Sequence, residues 1–220
     1  MPVVTIRGKV GSGAPEVGRE IARRLSVGYV DREIIAEVAT RLQRQERDVI
    51  AKEMPPSGLR GRIAEALGHS FAMSGGFEGA YLPVLEMPLN DSRYLEALKS
   101  LILELAGGGS IVLYGRGSQF ILKGRIPAFH VLTVAPQEMR LRRMMASLKL
   151  DQERAKREMA RFDTGGREFV RRYFHTEWED PLHYDMVINS KSLSFHAIAS
   201  IVVNALGLKE AKNDDSSILP

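Results

Sequence analysis

An apolar segment followed by a glycine-rich turn, near the start of the sequence, constrains the fold most strongly. The segment from Val3 to Ile6 has the composition of a buried strand, three glycines follow it within seven residues, and a helical pattern comes next. Glycines allow successive backbone amides to converge on an anion, and a following helix adds the positive end of its dipole. Strand, turn and helix in this order are typical of a phosphate-binding loop.

The turn matches only part of the nucleotide-binding pattern in which two glycines, with four residues between them, precede Lys and then Ser or Thr. Gly8 and Gly13 have this spacing. Ala14 replaces the lysine that reaches the phosphates, and Pro15 replaces the hydroxyl that holds Mg²⁺. Pro15 still suits the first position of a helix, because a missing amide hydrogen costs little there. The loop alone therefore leaves two interpretations open, phosphate binding and a purely structural turn.

The composition bounds the class of protein. The chain of 220 residues is long enough for one α/β domain with an inserted segment. No apolar run approaches the roughly 18 residues that a membrane span needs, and the absence of cysteine excludes disulfides and thiolate metal sites. The five histidines show no metal-ligand spacing, so we expect no metal held by protein side chains. We expect a cytoplasmic protein, whose net charge of +4 favours anionic partners.

Five apolar segments separated by helical patterns predict an α/β fold with a doubly wound parallel sheet. Glycine-rich turns follow the first and third of them, where a parallel sheet presents its ligands. Residues 53–91 are punctuated by Gly and Pro and are predicted to form an insertion, and residues 209–220 a disordered tail. The predicted strands lie at Val3 to Ile6, Tyr29 to Val30, Ile111 to Tyr114, Val131 to Val134 and Met186 to Ile188.

Charged residues near the strand ends are candidates for ligand contacts. Arg116 follows the third strand, and Asp31 follows the second strand as either a helix cap or a ligand. Basic residues are dense between Arg140 and Arg172, which is typical of a solvated helix face or of an anion site. We expect a helix from Asp151 to about Tyr173 that is interrupted at residues 163–166, where two glycines follow each other.

Several motifs together resemble one known family, the cytidylate kinase-like family of P-loop nucleoside monophosphate kinases. They occur in the family's order over most of the chain from Val3 to Leu206, and the resemblance weakens between residues 53 and 91. The motifs are Gly11-Ser12-Gly13, Glu16-Val17-Gly18, Tyr29 to Ile35, Gly115-Arg116-Gly117, Ala135-Pro136 with Arg140 to Arg143, Asp163 to Arg167, and Tyr184 to Asn189.

The resemblance implies a P-loop NTPase-type three-layer α/β/α fold in a single domain, residues 1–208. It implies ATP and Mg²⁺ at the first loop, an acceptor-side segment at residues 53–91, and an arginine-rich lid at residues 149–176. The residues predicted to bind ATP are Gly8, Lys9, Val10, Gly11, Ser12, Gly13, Ala14 and Pro15. Asp31, Arg32 and Arg116 correspond to acceptor-side motifs, and the lid motif supplies the predicted catalytic residues Arg157, Arg161, Asp163 and Arg167.

The function that follows is ATP-dependent phosphoryl transfer to a nucleoside monophosphate, CMP or dCMP first, or to a related small acceptor. Lid arginines, Lys9 or Arg19 could supply the charge that Ala14 lacks. A catalytically silent nucleotide-binding sensor or scaffold remains the alternative, because the loop departs from the pattern. Nucleic-acid binding is disfavoured, since few aromatic residues lie within the basic segment. We expect no membrane partner.

Overall fold

A computed structural model of the chain describes residues 2–31, 33–53 and 90–216. Its five strands form one parallel sheet in the order β2-β3-β1-β4-β5. The strands are β1 (Val3–Gly8), β2 (Gly28–Val30), β3 (Ile111–Tyr114), β4 (Phe129–Val134) and β5 (Met186–Asn189). The helices are α1 (Ala14–Leu25), α2 (Glu33–Leu42), α3 (Glu46–Glu53), α4 (Asp91–Gly107), α5 (Ser118–Leu122), α6 (Gln137–Leu148), α7 (Gln152–Phe174) and α8 (Phe195–Ser216).

The first strand lies at the centre of the sheet, as the continuous apolar segment predicts. Val3 pairs with Ile111 on one side, and Val4 pairs with Phe129 on the other. A central strand is covered on both faces, so Val3, Val4 and Ile6 are apolar without alternation, and the one buried polar side chain among them, Thr5, is hydrogen-bonded to His130. The predicted five-stranded parallel α/β fold is confirmed.

Helices cover both faces of the sheet and complete the three layers. On one face α1 and α8 pack on the strands through residues such as Ile21 and Ile198, both fully buried. On the other face α2, α4 and α7 bury Val38, Leu98 and Val170. This arrangement leaves the carboxyl ends of the strands as the edge at which ligands are bound in such folds.

Helix α7 is continuous, and the predicted interruption at residues 163–166 is wrong. The helix runs from Gln152 to Phe174 without a break. Two glycines disfavour a helix by about 1 kcal/mol each relative to alanine, but packing outweighs that preference here. Gly165 is buried, and the carbonyl of Gly166 accepts a hydrogen bond of 3.0 Å from Arg7.

The last helix is longer than the sequence pattern indicates, so the predicted tail from Lys209 does not begin there. Helix α8 continues to Ser216. Lys209 donates to a carboxylate oxygen of Asp185 at 2.7 Å and to the carbonyl of Ala128 at 3.0 Å. These contacts attach the helix to the sheet edge at the point where the apolar periodicity ends.

Two predictions lie outside the described residues. They concern Arg32 and nearly all of the acceptor-side segment, residues 54–89. Short helix α3 lies just before that segment; the sequence pattern did not predict it, and the buried Val49 anchors it. Among the described residues, no helix is both long and apolar enough to cross a membrane.

Candidate active site

The loop that follows β1 lies at the carboxyl edge of the sheet, beside the ends of the other four strands. The loop, residues 8–13, has two glycines in the left-handed region, with φ of 78° at Gly11 and 90° at Gly13. A Cβ on Gly11 would lie 2.6 Å from the carbonyl oxygen of Arg140, and one on Gly13 would lie 2.3 Å from the ring of Phe195. Both positions therefore require glycine for backbone conformation and for space.

The carbonyl groups of this glycine loop are fixed by three side chains from outside it. Arg140 Nε donates to the Val10 carbonyl at 2.9 Å, and Arg143 Nη1 donates to the Gly11 carbonyl at 3.1 Å. The hydroxyl of Ser190 donates to the carbonyl of the next loop residue, Ser12, at 2.7 Å. Helix α6 and the end of β5 thus hold three consecutive peptide groups.

Fixing the carbonyls also fixes the amides, because the two groups of a peptide unit point in opposite directions. The amide that follows Val10 belongs to Gly11, and the one that follows Ser12 belongs to Gly13. Neither amide has a protein acceptor in the part of the chain that the structure describes. Amides oriented in this way at the start of a helix form an anion-binding concavity.

The side chains of the glycine loop do not provide a site for Mg²⁺. The Ser12 hydroxyl is hydrogen-bonded to the Thr133 hydroxyl at 2.9 Å in a buried position, and Pro15 has no hydroxyl. No group of three or more acidic, histidine or cysteine side chains is arranged around a possible metal position in the described segments. The residues present therefore do not fit a metal held by the protein itself.

Two neighbouring cavities open beside the glycine loop, between β4, α6 and α7. Their volumes are about 280 and 340 Å³. Both are lined by Lys9, Gln137 and Arg140. Glu179 completes the smaller cavity, and Asp163 completes the larger one together with residues of α7. The smaller cavity therefore presents two cations and one carboxylate to a ligand, and the larger one adds a third cation, Lys156 of α7.

Lys9 and Arg140 are each paired with one of these carboxylates. Lys9 Nζ lies 2.6 Å from a Glu179 oxygen, and Arg140 Nη2 contacts Asp163 Oδ2. Burial raises the pKa of the Asp163 carboxyl above its usual value, although the nearby Arg140 and Lys9 oppose the shift. Ionised Asp163 is thus held in a place where its charge is poorly solvated.

Lys9 is better placed than Arg19 to replace the lysine that is absent at position 14. It lines both cavities next to the loop. Arg19, the other candidate, lies elsewhere: its Nη2 is 3.8 Å from Glu16, and its guanidinium lies 5.7 Å from the ring centre of Tyr29. Of these two side chains, the geometry favours Lys9.

The acceptor-side residues Asp31 and Arg116 are brought together at the ends of β2 and β3. Arg116 Nη1 donates to Asp31 Oδ1 at 2.7 Å, and the Arg116 side chain is only 11% exposed. Gly115, Arg116 and Gly117 all have positive φ, which turns this segment sharply at the strand end. Asp31 therefore orients an arginine on the predicted acceptor side.

The four predicted lid residues separate into two pairs. Asp163 contacts Arg140 next to the loop, and Arg167 Nη2 lies 3.8 Å from Glu179. Arg161 instead pairs with Glu158 at 2.8 Å on the exposed side of α7, and Arg157 is exposed. Neither Arg157 nor Arg161 is among the described residues that line the two cavities.

Sequence reasoning missed most residues that hold the site together. Arg140 and Arg143 belong to the motif that follows Ala135-Pro136, and their position at a helix start beside the strand edge was a usable signal. Thr133 and Ser190 also lie at strand ends. No sequence pattern indicated Glu179, because the segment that contains it has no helical or strand periodicity.

The parallel sheet with its central first strand, the glycine loop and the flanking helices define a P-loop kinase fold. Similar solved structures share the fold at low sequence identity. An uncharacterized protein from Eubacterium ventriosum is 14% identical with a TM-score of 0.66, and 94% of this chain and 99% of that chain are covered. A gluconokinase from Sinorhizobium meliloti is 13% identical with a TM-score of 0.50, and 99% and 98% are covered.

The family assignment comes from sequence. The model of the cytidylate kinase-like family matches residues 3–192, most of the chain. The chain therefore belongs to the cytidylate kinase-like family, and the resemblance seen in the motifs is confirmed. A search of curated proteins found no match.

Proposed function

We propose that the chain transfers the γ-phosphoryl group of ATP to a nucleoside monophosphate, with CMP or dCMP as the first candidate, or to a related small acceptor. One observation carries the proposal. The glycine loop is held by Arg140, Arg143 and Ser190 so that the amides of Gly11 and Gly13 are left for a ligand. A purely structural turn has no need for three separate anchors on its carbonyls.

Phosphoryl transfer asks a protein mainly for positioning and for positive charge around the transferred group. The loop amides would bind the β-phosphate region of ATP, with Lys9 and Arg140 beside them at the two cavities. Arg167 lies 3.8 Å from Glu179, the same carboxylate that pairs with Lys9. Together these groups would take over part of the role of the lysine that is absent at position 14.

The acceptor would bind on the other side of β1, where Arg116 lies at the end of the neighbouring strand β3. Asp31 fixes the guanidinium of Arg116 through their 2.7 Å contact. An oriented guanidinium is well suited to a phosphate because it donates two parallel hydrogen bonds. Donor and acceptor would then meet above the central strand.

Mg²⁺ would enter with ATP, coordinated by phosphate oxygens and water, because the loop side chains do not fit a metal. Its contribution would be to neutralise charge on the phosphates. Arg140 and Lys9 would orient the phosphates independently of the metal.

A catalytically silent nucleotide-binding sensor or scaffold is the second candidate, and a specific observation favours it. Ala14 is completely buried, so the loop offers no side chain at the position of the missing lysine. Loss of one oriented charge in such a site costs roughly 3–4 kcal/mol, or several hundredfold in rate. A chain of this kind would bind nucleotide without turnover.

The test combines nucleotide binding with turnover. Calorimetry with ATP and ADP, with and without Mg²⁺, measures binding, and a coupled assay of ADP release over a panel of nucleoside monophosphates and small hydroxylated metabolites measures transfer. Gly11→Ala should abolish binding through its backbone and steric conflict. Gly107→Ala is the matched control, because nothing lies within 4 Å of its added Cβ.

The outcomes separate the candidates. ADP release with CMP or dCMP above the ATPase background supports the kinase proposal. Binding that Gly11→Ala abolishes, without turnover on any acceptor, supports the silent nucleotide binder. If neither nucleotide binds at millimolar concentration, both proposals fail and the loop is a structural turn.

A further inference from the structure

Two carboxylates form ion pairs with the cations beside the glycine loop. Glu179 pairs with Lys9 at 2.6 Å, and Asp163 pairs with Arg140. The Arg140 side chain is 7% exposed and the Lys9 side chain 32% exposed, so both cations are at least partly withdrawn from water. The carboxylates come from α7 and from the segment that follows it, whereas the cations come from the loop and α6.

The Asp163 carboxylate lacks one of the hydrogen bonds that a purely structural ion pair would have. Oδ2 contacts Arg140 and the backbone amide of Val10 also interacts with the carboxylate, but the second oxygen, Oδ1, is buried without a hydrogen-bond donor of its own among the described residues. A buried charged oxygen without a donor costs free energy that a well-packed structural pair avoids. The larger cavity, about 340 Å³, adjoins this carboxylate and both cations.

We infer that Asp163 and Glu179 are internal stand-ins for two phosphoryl groups, so that the site is built for a ligand with at least two linked phosphates. This inference rests on the proposed phosphate binding by the loop. Each carboxylate marks one anion position, one at Arg140 and one at Lys9. A diphosphate or triphosphate displaces both carboxylates, whereas a single phosphate displaces only one.

The consequence is a site whose affinity is limited by its own carboxylates. Ligand phosphates must compete with the Asp163 and Glu179 carboxylates for Arg140 and Lys9. After displacement, these carboxylates would still lie near the phosphates and would repel them, because both carry negative charge. Removing either negative charge should therefore tighten binding. A structural ion pair or a ligand-binding carboxylate predicts the opposite, because its loss would disorder the site or remove a contact.

The experiment measures binding of inorganic pyrophosphate, orthophosphate and ADP by calorimetry to the full chain and to three variants. Asp163→Asn should tighten pyrophosphate binding about tenfold, and the more exposed Glu179→Gln about threefold. The gain for orthophosphate should be smaller. Glu177→Gln is the matched control, because Glu177 lies two residues from Glu179 but pairs with Arg171 at 2.6 Å, away from the cavities.

Unchanged or weaker pyrophosphate binding in both Asp163→Asn and Glu179→Gln would overturn the inference. Equal gains in Glu177→Gln would also overturn it, because net charge alone would then explain the effect. If Asp163→Asn lowers the melting temperature markedly, the exposed Glu179→Gln still decides the matter. Binding of ADP by the unchanged chain, with no gain in the variants, would leave the proposed function standing while this inference fails.

Discussion

The two halves of helix α7 differ in burial: the first lies on the protein surface and the second packs in the core. Their similar basic composition therefore does not predict which half can move. In the first half, Gln152 to Phe162, only Ala155 and Met159 are buried. In the second half, Phe169, Val170 and Tyr173 are all buried. Both halves are rich in arginine, yet only the first has the exposure of a segment that can move.

Three contacts fix the second half to two other elements, β1 and α4. Arg7 of β1 donates to the carbonyl of Gly166, and the ring of Tyr173 lies 5.3 Å from that of Tyr94 in α4. Arg172 Nε donates to Asp91 at 2.8 Å at the start of the same helix. Movement of this half would expose part of the core, so we propose that the motion of the predicted lid is confined to the first half.

The largest effect that tests this division concerns stability. Phe169→Ala should lower the free energy of unfolding by about 3–5 kcal/mol, because it leaves a cavity in the core. Phe162→Ala, in the first half, should cost less than about 1 kcal/mol, since its ring stacks against Arg161 on the surface. Urea unfolding measures both, and equal losses would contradict the division.

The next effect concerns catalysis. Arg161→Ala should lower kcat by about tenfold to hundredfold, and more than it raises KM for ATP, if the first half closes over the transferring group. Arg171→Ala is the control from the second half, because its side chain is exposed and pairs with Glu177. Weaker ATP binding at unchanged kcat would make Arg161 a binding residue.

A smaller effect tests the continuity of α7 at the junction of its halves. Gly166→Ala should raise the free energy of unfolding by about 0.5–1 kcal/mol through helix propensity, since the new Cβ meets a single atom, Arg7 Nη2 at 3.1 Å, which can move by a few tenths of an ångström and keep its hydrogen bond to the Gly166 carbonyl. Gly207→Ala in α8, with open space around it, provides the reference gain. A loss at Gly166 beside a gain at Gly207 would favour the interrupted helix.

The smallest effect is a pH dependence at the same junction. Because the pKa of Asp163 is raised in the folded protein, the folded state binds a proton more tightly than the unfolded state. The contribution of Asp163 to stability is therefore present at low pH and declines as pH rises from about 3.8 through the folded pKa. The measurement is the free energy of unfolding between pH 4 and 7. It should show this decline in the unchanged chain and lack it in the Asp163→Asn variant.

The sequence by itself determined the sheet and the location of the site. A central strand covered on both faces favours a mainly apolar segment, and the segment at Val3 to Ile6 has one, with Thr5 as its single polar residue. The left-handed turns at Gly11 and Gly13 need glycine, so local sequence encodes the loop directly. The motifs also identified the family, because their order along the chain is a property of sequence.

Only the tertiary structure decided which charges meet. The partners of Arg140 and Lys9 are distant in sequence, at Asp163 and Glu179, and no periodicity links such positions. The continuity of α7 was decided in the same way, since packing around Gly165 and Gly166 outweighs the local preference of two glycines. Local conformational preferences act over a few residues, whereas buried ion pairs and core packing depend on segments that folding alone brings together.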